Sequence, residues 1–403
     1  RLKNFMCSLA CWVLPSAAMD FSAQLSTLTE RIRAAAASKT PLRICGGGSK
    51  DFYGNPTPGD LLDTRALRGI LSYEPSELVV TVLAGTPLTE LETALAAQGQ
   101  YLPFEPPHFG EAGQSTVGGM VAAGLSGPAR ATAGCVRDHV LGVKMINGRA
   151  QTLQFGGQVI KNVAGYDVSR AMVGAMGSLG VLVEVSLKVM PLPTAEATLV
   201  WQVGQAEALA QLHRWGGQPL PINASCWVKD ATDGNKELLF VRLRGAAAAV
   251  EAACGKMLAD MPASAHGTRM EQAQAAPDWQ LCRDLKLPFF TQPSHADCVL
   301  WRLSVAQTAP VLDLPYDMFI EWQGAQRWLW APQAAAAQIR QVAAQAGGHA
   351  TVFLAKNADG ICRNDVFDRF TPLQSPLDRI HRQLKNEFDP AGIFNPGRLY
   401  QGL

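Results

Sequence analysis

Metal-binding spacing is the plainest thing missing from this sequence. Its nine cysteines form no CxxC pair and its seven histidines no HxH or HExxH. That argues against a structural zinc or an iron–sulfur cluster held by this chain, and no metal is expected. An odd, widely spaced set of thiols reads as free cysteines in a reducing cytosol, not as a disulfide framework. Charge is sparse as well: 35 basic residues stand against 34 acidic ones, for a formal net charge of +1. The basic residues are scattered, so no nucleic-acid partner and no direct attachment to anionic lipid are expected. No apolar run approaches the roughly 20 residues that a membrane span requires.

What is present points to large buried cores. Of 403 residues, 48% are hydrophobic and 17% charged, which fits two or three globular domains. The first eighteen residues, "RLKNFMCSLACWVLPSAA", have a basic start, a short apolar stretch and a small-residue end, like a secretory leader. Met19, which heads "DFSAQLSTLTERIRAAAA", is the more natural start, so residues 1–18 are read as a leader or an upstream extension.

Leu25, Leu28 and Ile32 recur at helical spacing and predict an amphipathic helix ending near Ser38. "PLRIC" then reads as a short strand running into Gly46-Gly47-Gly48. "LVVTVLAG" reads as a buried strand. Thr86-Pro87 is expected to cap the following helix, with Leu88, Leu91 and Leu95 on its inner face and Gly99 at its end. In "GQSTVGGMVAAGLSGPAR", Ser115 or Thr116 is expected to cap a helix whose first turn carries Gly118 and Gly119. Unpaired N–H groups there would suit a phosphate; tight helix packing is the alternative. "HVLGVKMING" and "AQTLQFGG" read as strands joined by a two-residue Asn147-Gly148 turn. "GVLVEVSLKV" alternates like a strand. Beyond residue 192, "VWQVG", "CWVKD", "LLFVRLRG", "VLWRLSV" and "MFIEWQG" alternate with Ala-rich helices, which predicts an α+β domain with an antiparallel sheet.

Three consecutive glycines after a strand need a reason: a turn with positive φ, or a ligand brought close to the main chain. Two nucleotide motifs fail here. Walker A needs GxxxxGK[ST], but in "GGGSK" the serine precedes the lysine. The dinucleotide fingerprint needs a third glycine where Asp51 stands. "GAMGSLG", Gly174 to Gly180, fails as well.

In order, "RICGGGSK", "STVGGMVAAGLSGP", "RDHVLGVKMING", "VIKNVAGYDVSR", "GSLGVLVEVSLKV" and "FDPAGIFNPGRLY" resemble the FAD-binding vanillyl-alcohol-oxidase-type (PCMH-type) family. The likeness runs to the branch that furnishes flavin subunits of bacterial glycolate-oxidising complexes, where "LWRLSV" and "EWQGAQRWLW" also have counterparts. It covers nearly everything after Met19. The implied fold is α+β: a two-subdomain PCMH-type FAD-binding domain over residues 19–192, a smaller antiparallel-sheet cap or substrate domain over 193–360, and a C-terminal segment, 361–403, returning to the FAD domain.

The resemblance also implies residue roles. Gly46, Gly47, Gly48 and Ser49 match the first pyrophosphate loop, whose main-chain N–H groups bond phosphate oxygens. Ser115, Thr116, Val117, Gly118 and Gly119 match the second FAD contact, and Gly124, Ser126 and Gly127 continue along the cofactor. Gly177, Gly180 and Val181 match the segment near the adenine. Asn395 and Arg398 belong to the terminal "NPGR", which either touches the flavin domain's site or is a plain clasp. Asp138 matches the family only loosely. Lys161, Asn162, Tyr166 and Asp167 match a "KNxxGYD" stretch typical of hydroxyacid-oxidising relatives, and either contact substrate or pin a turn. Arg302 either holds a substrate carboxylate or pairs with a neighbouring acid. The catalytic candidates are thus Tyr166, Lys161 and Arg302. The first loop offers Ser49 and Lys50 where many relatives place a flavin-linked histidine, so FAD is expected to be non-covalent.

The implied activity is oxidation of glycolate or a similar 2-hydroxy acid to the 2-oxo acid, with electrons leaving to an acceptor other than NAD. The implied partners are a larger flavin subunit and an iron–sulfur subunit, with peripheral association at the inner membrane only through them. Two alternatives stay open, and the absence of paired histidines favours the first. One is a flavin-containing scaffold or electron relay. The other is a stand-alone FAD oxidoreductase of another hydroxy acid or alcohol.

Overall fold

The computed structural model describes residues 21–157, 167–293, 295, 297–355 and 368–403. Residues 1–18, Lys161, Asn162 and Tyr166, to which roles were assigned above, lie outside these. The chain opens with α1 (Ser22–Ser38), whose Leu28, Ile32 and Ala35 are buried on one face. β1 (Leu42–Cys45) and β2 (Asp60–Asp63) then pair in parallel, with the glycine loop between them. β3 (Ile70–Glu74), β4 (Val79–Leu83), α2 (Leu88–Ala96), β5 (Gln100–Tyr101), α3 (Val117–Ala123), α4 (Arg130–Ala133) and α5 (Val136–His139) follow. Next come β6 (Val140–Ile146), β7 (Thr152–Gly156), α6 (Val168–Ala171), β8 (Val181–Lys188) and β9 (Met190–Pro191). β3, β4, β8, β6 and β7 form, in that order, a five-stranded antiparallel sheet, and β5 pairs with β9. β4 is buried along its whole length and β8 nearly so, which explains their almost continuous apolar sequences.

The second half runs β10 (Ala195–Gln202), α7 (Gln205–Gly216), β11 (Ile222–Asp230), β12 (Lys236–Gly245), α8 (Ala247–Ala259), β13 (Thr268–Arg269) and α9 (Gln272–Arg283). It continues through α10 (Pro288–Thr291), β14 (Cys298–Ser304), β15 (Met318–Glu321), β16 (Gln326–Pro332), α11 (Ala336–Gln345) and β17 (His349–Leu354). Its strands form one eight-stranded antiparallel sheet, in the order β13-β10-β12-β11-β15-β16-β14-β17. One face, with Trp301, Leu303 and Leu329, packs under Leu212, Val250 and Ile339 of α7, α8 and α11. The other face carries Cys226, Leu300, Phe319, Trp328, Trp330 and Phe353. It meets Trp279 and Cys282 of α9, and Tyr53, Leu125 and Met176 of the first half.

Polar contacts fix the two halves against each other. Glu105 accepts from Arg242 at 2.7 Å and from Arg244 at 2.7 Å. The Trp322 indole donates to the Gly127 carbonyl at 2.9 Å, and the Thr132 hydroxyl to the Asn223 carbonyl at 2.8 Å. Burial pushes the Glu105 carboxyl up, but the two guanidiniums outweigh burial and hold it below the ordinary range. After α12 (Leu377–Phe388) the chain returns to β1, where Leu42 donates to Ile393 at 2.7 Å and Asn395 to Leu42 at 3.0 Å.

Two local expectations need correction. The Thr86 hydroxyl accepts from the Gly69 amide and donates to its carbonyl, so Thr86 does not cap α2; the N-cap is Pro87, without a side-chain bond. The β6–β7 connection is longer than two residues. Ile146 pairs with Thr152, and the Asn147 side chain accepts from the Arg149 and Gln151 amides, closing a five-residue loop.

Candidate functional site

The glycine loop forms a concave edge because each glycine meets a different constraint. A Cβ at Gly47 would overlap the backbone carbonyl of Gln114, and one at Gly46 would overlap the Thr116 hydroxyl. Gly48 has φ +71°, a region that side chains disfavour. The first two glycines therefore permit close approach to the 114–116 segment, and the third permits the turn. As a result, the amide groups of Gly47, Gly48, Ser49 and Lys50 make no hydrogen bond among the described residues. Four consecutive unpaired amides bordering a cavity form a nest for anionic oxygens.

That cavity measures about 350 Å³ and is walled by Arg43, Gly46 to Asp51, Thr116, Gly119, Ala122, Met176, Asn395 and Arg398. Lys50 is its most telling cation. The ammonium donates to the Ser49 and Ser115 hydroxyls, at 3.4 and 3.3 Å, and burial brings its pKa down to about 8. No carboxylate forms an ion pair with it among the described residues. A desolvated ammonium beside open amides fits a diphosphate. The sequence carries no sign of this, because Ser115 and Phe109, which enclose the ammonium, come from a distant segment. The Arg398 guanidinium donates to the Lys50, Asp51 and Asn55 carbonyls and braces the loop from behind.

The second glycine segment behaves differently from expectation. Thr116 caps α3, its hydroxyl accepting from the Gly119 amide at 3.2 Å. The Val117 amide, however, donates to the Thr86 carbonyl at 2.9 Å and the Gly118 amide to the Ala84 carbonyl at 2.7 Å. The first amides of α3 are thus taken, because the carbonyls of Ala84 and Thr86, just after β4, accept from Gly118 and Val117. Gly118 allows that contact, since a Cβ there would press on Ala84. Ser115 reaches the site through its hydroxyl, which lies 3.0 Å from the Ser49 hydroxyl.

A second cavity of about 80 Å³ continues past Gly118, Gly119, Met176, Gly177, Gly180 and Asn395. Asn395 shapes this wall: it accepts from the Ile44 amide at 2.8 Å and donates to the Met176 carbonyl at 2.6 Å. Both of its polar groups are engaged, which matches the clasp reading. Val181 lines neither cavity; it is fully buried in β8. Val117 is equally buried, and Gly124 ends α3 against Gly174. None of these three lines the cavity beside the glycine loop or the one beyond it. Asp138 accepts from the Cys135 amide and Asp167 from the Arg170 amide, so both stabilise short helices.

A third, narrow cavity of about 20 Å³ lies between the halves. Phe109, Ser126, Gly127, Arg283, Arg302, Glu321 and Trp328 are among its lining residues. The Arg302 Nε donates to Gln326 at 2.8 Å, and the guanidinium lies 5.3 Å from the Trp322 ring. Arg130 faces the same ring at 4.4 Å. Arg302 forms no ion pair with an acid among the described residues; its polar partner is Gln326. A larger cavity, about 880 Å³, lies in the second half and is lined largely by aromatic and aliphatic side chains such as Phe240, Trp279, Phe289 and Trp330. Its Lys229 is paired with Asp317 at 3.3 Å. The diphosphate therefore fits the smaller cavity.

Residues 20–170 match the family described as an FAD binding domain. The chain is 46% identical over 376 residues to the glycolate oxidase subunit GlcE of Escherichia coli K12, covering 93% of this chain and 97% of that protein. The chain belongs to the GlcE family. A partial likeness extends to the glycolate oxidase subunit GlcD of Bacillus subtilis, 30% identical over 42% of this chain and 34% of that protein. A D-lactate dehydrogenase of Anaerostipes hadrus is 31% identical over 35% of this chain and 29% of its own length. Two solved structures of alkyldihydroxyacetonephosphate synthase share the fold, each at TM-score 0.64 and 16% identity over 92% of this chain. The expected α+β, PCMH-type architecture and the FAD-binding assignment are thereby borne out. Among the described residues no helix is long and apolar enough to cross a membrane.

Proposed function

We propose that this chain is the GlcE-type FAD-binding subunit of a glycolate oxidase, acting in oxidation of glycolate or a similar 2-hydroxy acid to the 2-oxo acid. The observation that carries the reading is the nest at Gly47–Lys50 with its buried ammonium, which has no carboxylate partner among the described residues, in a chain that matches GlcE over nearly its whole length. The Gly47, Gly48, Ser49 and Lys50 amides and the Lys50 ammonium would hold the FAD diphosphate. Gly119, Ala122 and Met176 would line the chain beyond it. When bound, FAD supplies the two-electron acceptor for the α-hydrogen of the substrate. Arg302 would bind the substrate carboxylate by its fork, positioned by Gln326 and flanked by Trp322. The Glu105–Arg242–Arg244 cluster would keep the two halves closed and the site dry.

The loop presents no histidine, so FAD is held non-covalently, and acid precipitation will release all of the flavin. A pellet that stays yellow contradicts this. A larger flavin subunit and an iron–sulfur subunit would complete the complex, receive the electrons and bring the chain to the inner membrane from the cytoplasmic side. Among the described residues no group of three or more His, Cys, Asp or Glu side chains is arranged to hold a metal. That observation favours the electron-relay alternative, in which chemistry belongs to the partner flavin subunit. Anaerobic addition of glycolate to the FAD-loaded chain separates the two. Bleaching of the isolated chain supports a catalytic subunit. Bleaching only after the partner subunit is added supports the relay.

A further inference from the structure

Glu321 ends β15, on the sheet face turned toward the first half. Its side chain is almost fully enclosed, at 4% exposure. Oε2 accepts from the Trp328 indole at 2.8 Å, and Oε1 lies 3.5 Å from the Cys282 sulfur. Glu321 is the one carboxylate among the described residues lining the cavity between the halves, and Arg302 lines the same cavity. The two side chains share a sheet face, because Glu321 lies opposite Gln326 and Arg302 opposite Trp328, two residues further along β16. Yet no direct ion pair joins them: Arg302 turns its Nε to Gln326, and Glu321 turns to Trp328 and Cys282. A cation and a carboxylate facing one cavity without pairing match the two ends of a 2-hydroxy acid.

We propose that Glu321 is the proton acceptor for the substrate's α-hydroxyl, while Arg302 holds the carboxylate. This rests on the functional reading above and deepens it. The hydroxyl O–H bond breaks and its proton passes to a Glu321 oxygen. The α-hydrogen leaves with its bonding electron pair to FAD, the oxidant that the family supplies. The C–O bond becomes C=O, leaving the 2-oxo acid, reduced flavin and protonated Glu321. At 20 Å³ the cavity accommodates little more than a water, so the halves must separate slightly for entry.

The surroundings suit the task. Burial raises the Glu321 carboxyl to about 7, partly offset by its Trp328 and Cys282 contacts and by the charge of Arg302; Glu105 pushes it further up. Arg283 lines the same cavity, and the Cys226 and Cys282 thiols beside it are both raised and neutral. A base that titrates near neutrality is matched to proton abstraction.

The test uses the assembled complex with Glu321→Gln, Glu321→Asp and Gly47→Val in this chain. In anaerobic stopped flow the wild-type flavin should be reduced by glycolate with a rate that rises through about pH 7. Glu321→Gln should lower that rate by about 10²- to 10⁴-fold and flatten the profile. Glu321→Asp should restore part of both. Binding of 2-hydroxyisobutyrate, which has no α-hydrogen, should still perturb the flavin spectrum of Glu321→Gln with an affinity within a few-fold of wild type. A wild-type rate and pH profile in Glu321→Gln overturns the assignment while leaving the functional reading intact. If the Gly47→Val complex, emptied of this chain's flavin, is still reduced at the wild-type rate, both the functional reading and the role of Glu321 fail.

Discussion

Lys50 shows how one residue's environment carries an assignment that its identity does not. Its ammonium meets two hydroxyls and the face of Phe109 but no carboxylate among the described residues, and burial holds its pKa near 8. The charged form favours a diphosphate, and free Lys50 loses its proton as pH rises through about 8, so FAD affinity should fall above that pH. Lys50→Met should weaken FAD binding by about 10- to 100-fold, the worth of a charge-assisted bond, and remove the pH dependence. Fluorescence titration of the apoprotein with FAD reads both effects; an unchanged dissociation constant contradicts the role. Arg302→Lys should raise the concentration of 2-hydroxy acid needed to perturb the flavin spectrum, because an ammonium cannot reproduce the fork. No change would return Arg302 to a structural role. The raised Glu321 carboxyl has a stability consequence as well. Stability should decline as pH rises from about 4.5 toward 7, where the buried group ionises, and then level off. Glu321→Gln should flatten that slope in urea melts.

At the scale of elements, the glycine runs were legible as ligand-approach signals, but which amides face the ligand was not. "GGGSK" and "STVGGM" look equivalent as strings. The fold separates them, because the segment just after β4, at Ala84 and Thr86, takes the Gly118 and Val117 amides and leaves those of Gly47 to Lys50 open among the described residues. Such a non-local backbone pairing leaves no trace in spacing. Buried β4 is readable from its apolar run, β8 as a strand from its alternation though not its near-complete burial, and α1 from its helical spacing. β2 and β17 were not picked out, since "DLLD" and "HATVFL" are short and ambiguous by period. Glu321 lay in plain view within "MFIEWQG", but its face toward the first half depends on its partners in β11 and β16. Two substitutions test the element reading. Gly47→Val forces a side chain into the Gln114 carbonyl and should abolish bound flavin while the second half stays folded. Thr116→Ala removes the cap of α3 and should cost about 1 kcal/mol with flavin retained.

For the whole molecule, function depends on two halves that must close and also admit a substrate. The Glu105 carboxylate, gripped by Arg242 and Arg244, is the main charged tie between them. Its pKa is depressed, so its contribution is present above the ordinary carboxylate range and is lost as pH falls through the lowered value. Glu105→Gln would leave the buried Arg242 guanidinium without its carboxylate, while Arg244 keeps Glu196, and should cost about 3–5 kcal/mol. Thermal unfolding of this variant should begin earlier, with exposure of the indoles at the interface; an unchanged melt contradicts the tie. Nothing in the one-dimensional pattern linked Glu105 to residues so far along the chain, since sequence separation hides such pairs.

The account rests on FAD seated in the amide nest, and the most direct measurement is the flavin content of the purified, folded chain. About one FAD per chain, released by acid and rebound on neutralisation, is the predicted result. Folded protein that is colourless and takes up no FAD on reconstitution would contradict it.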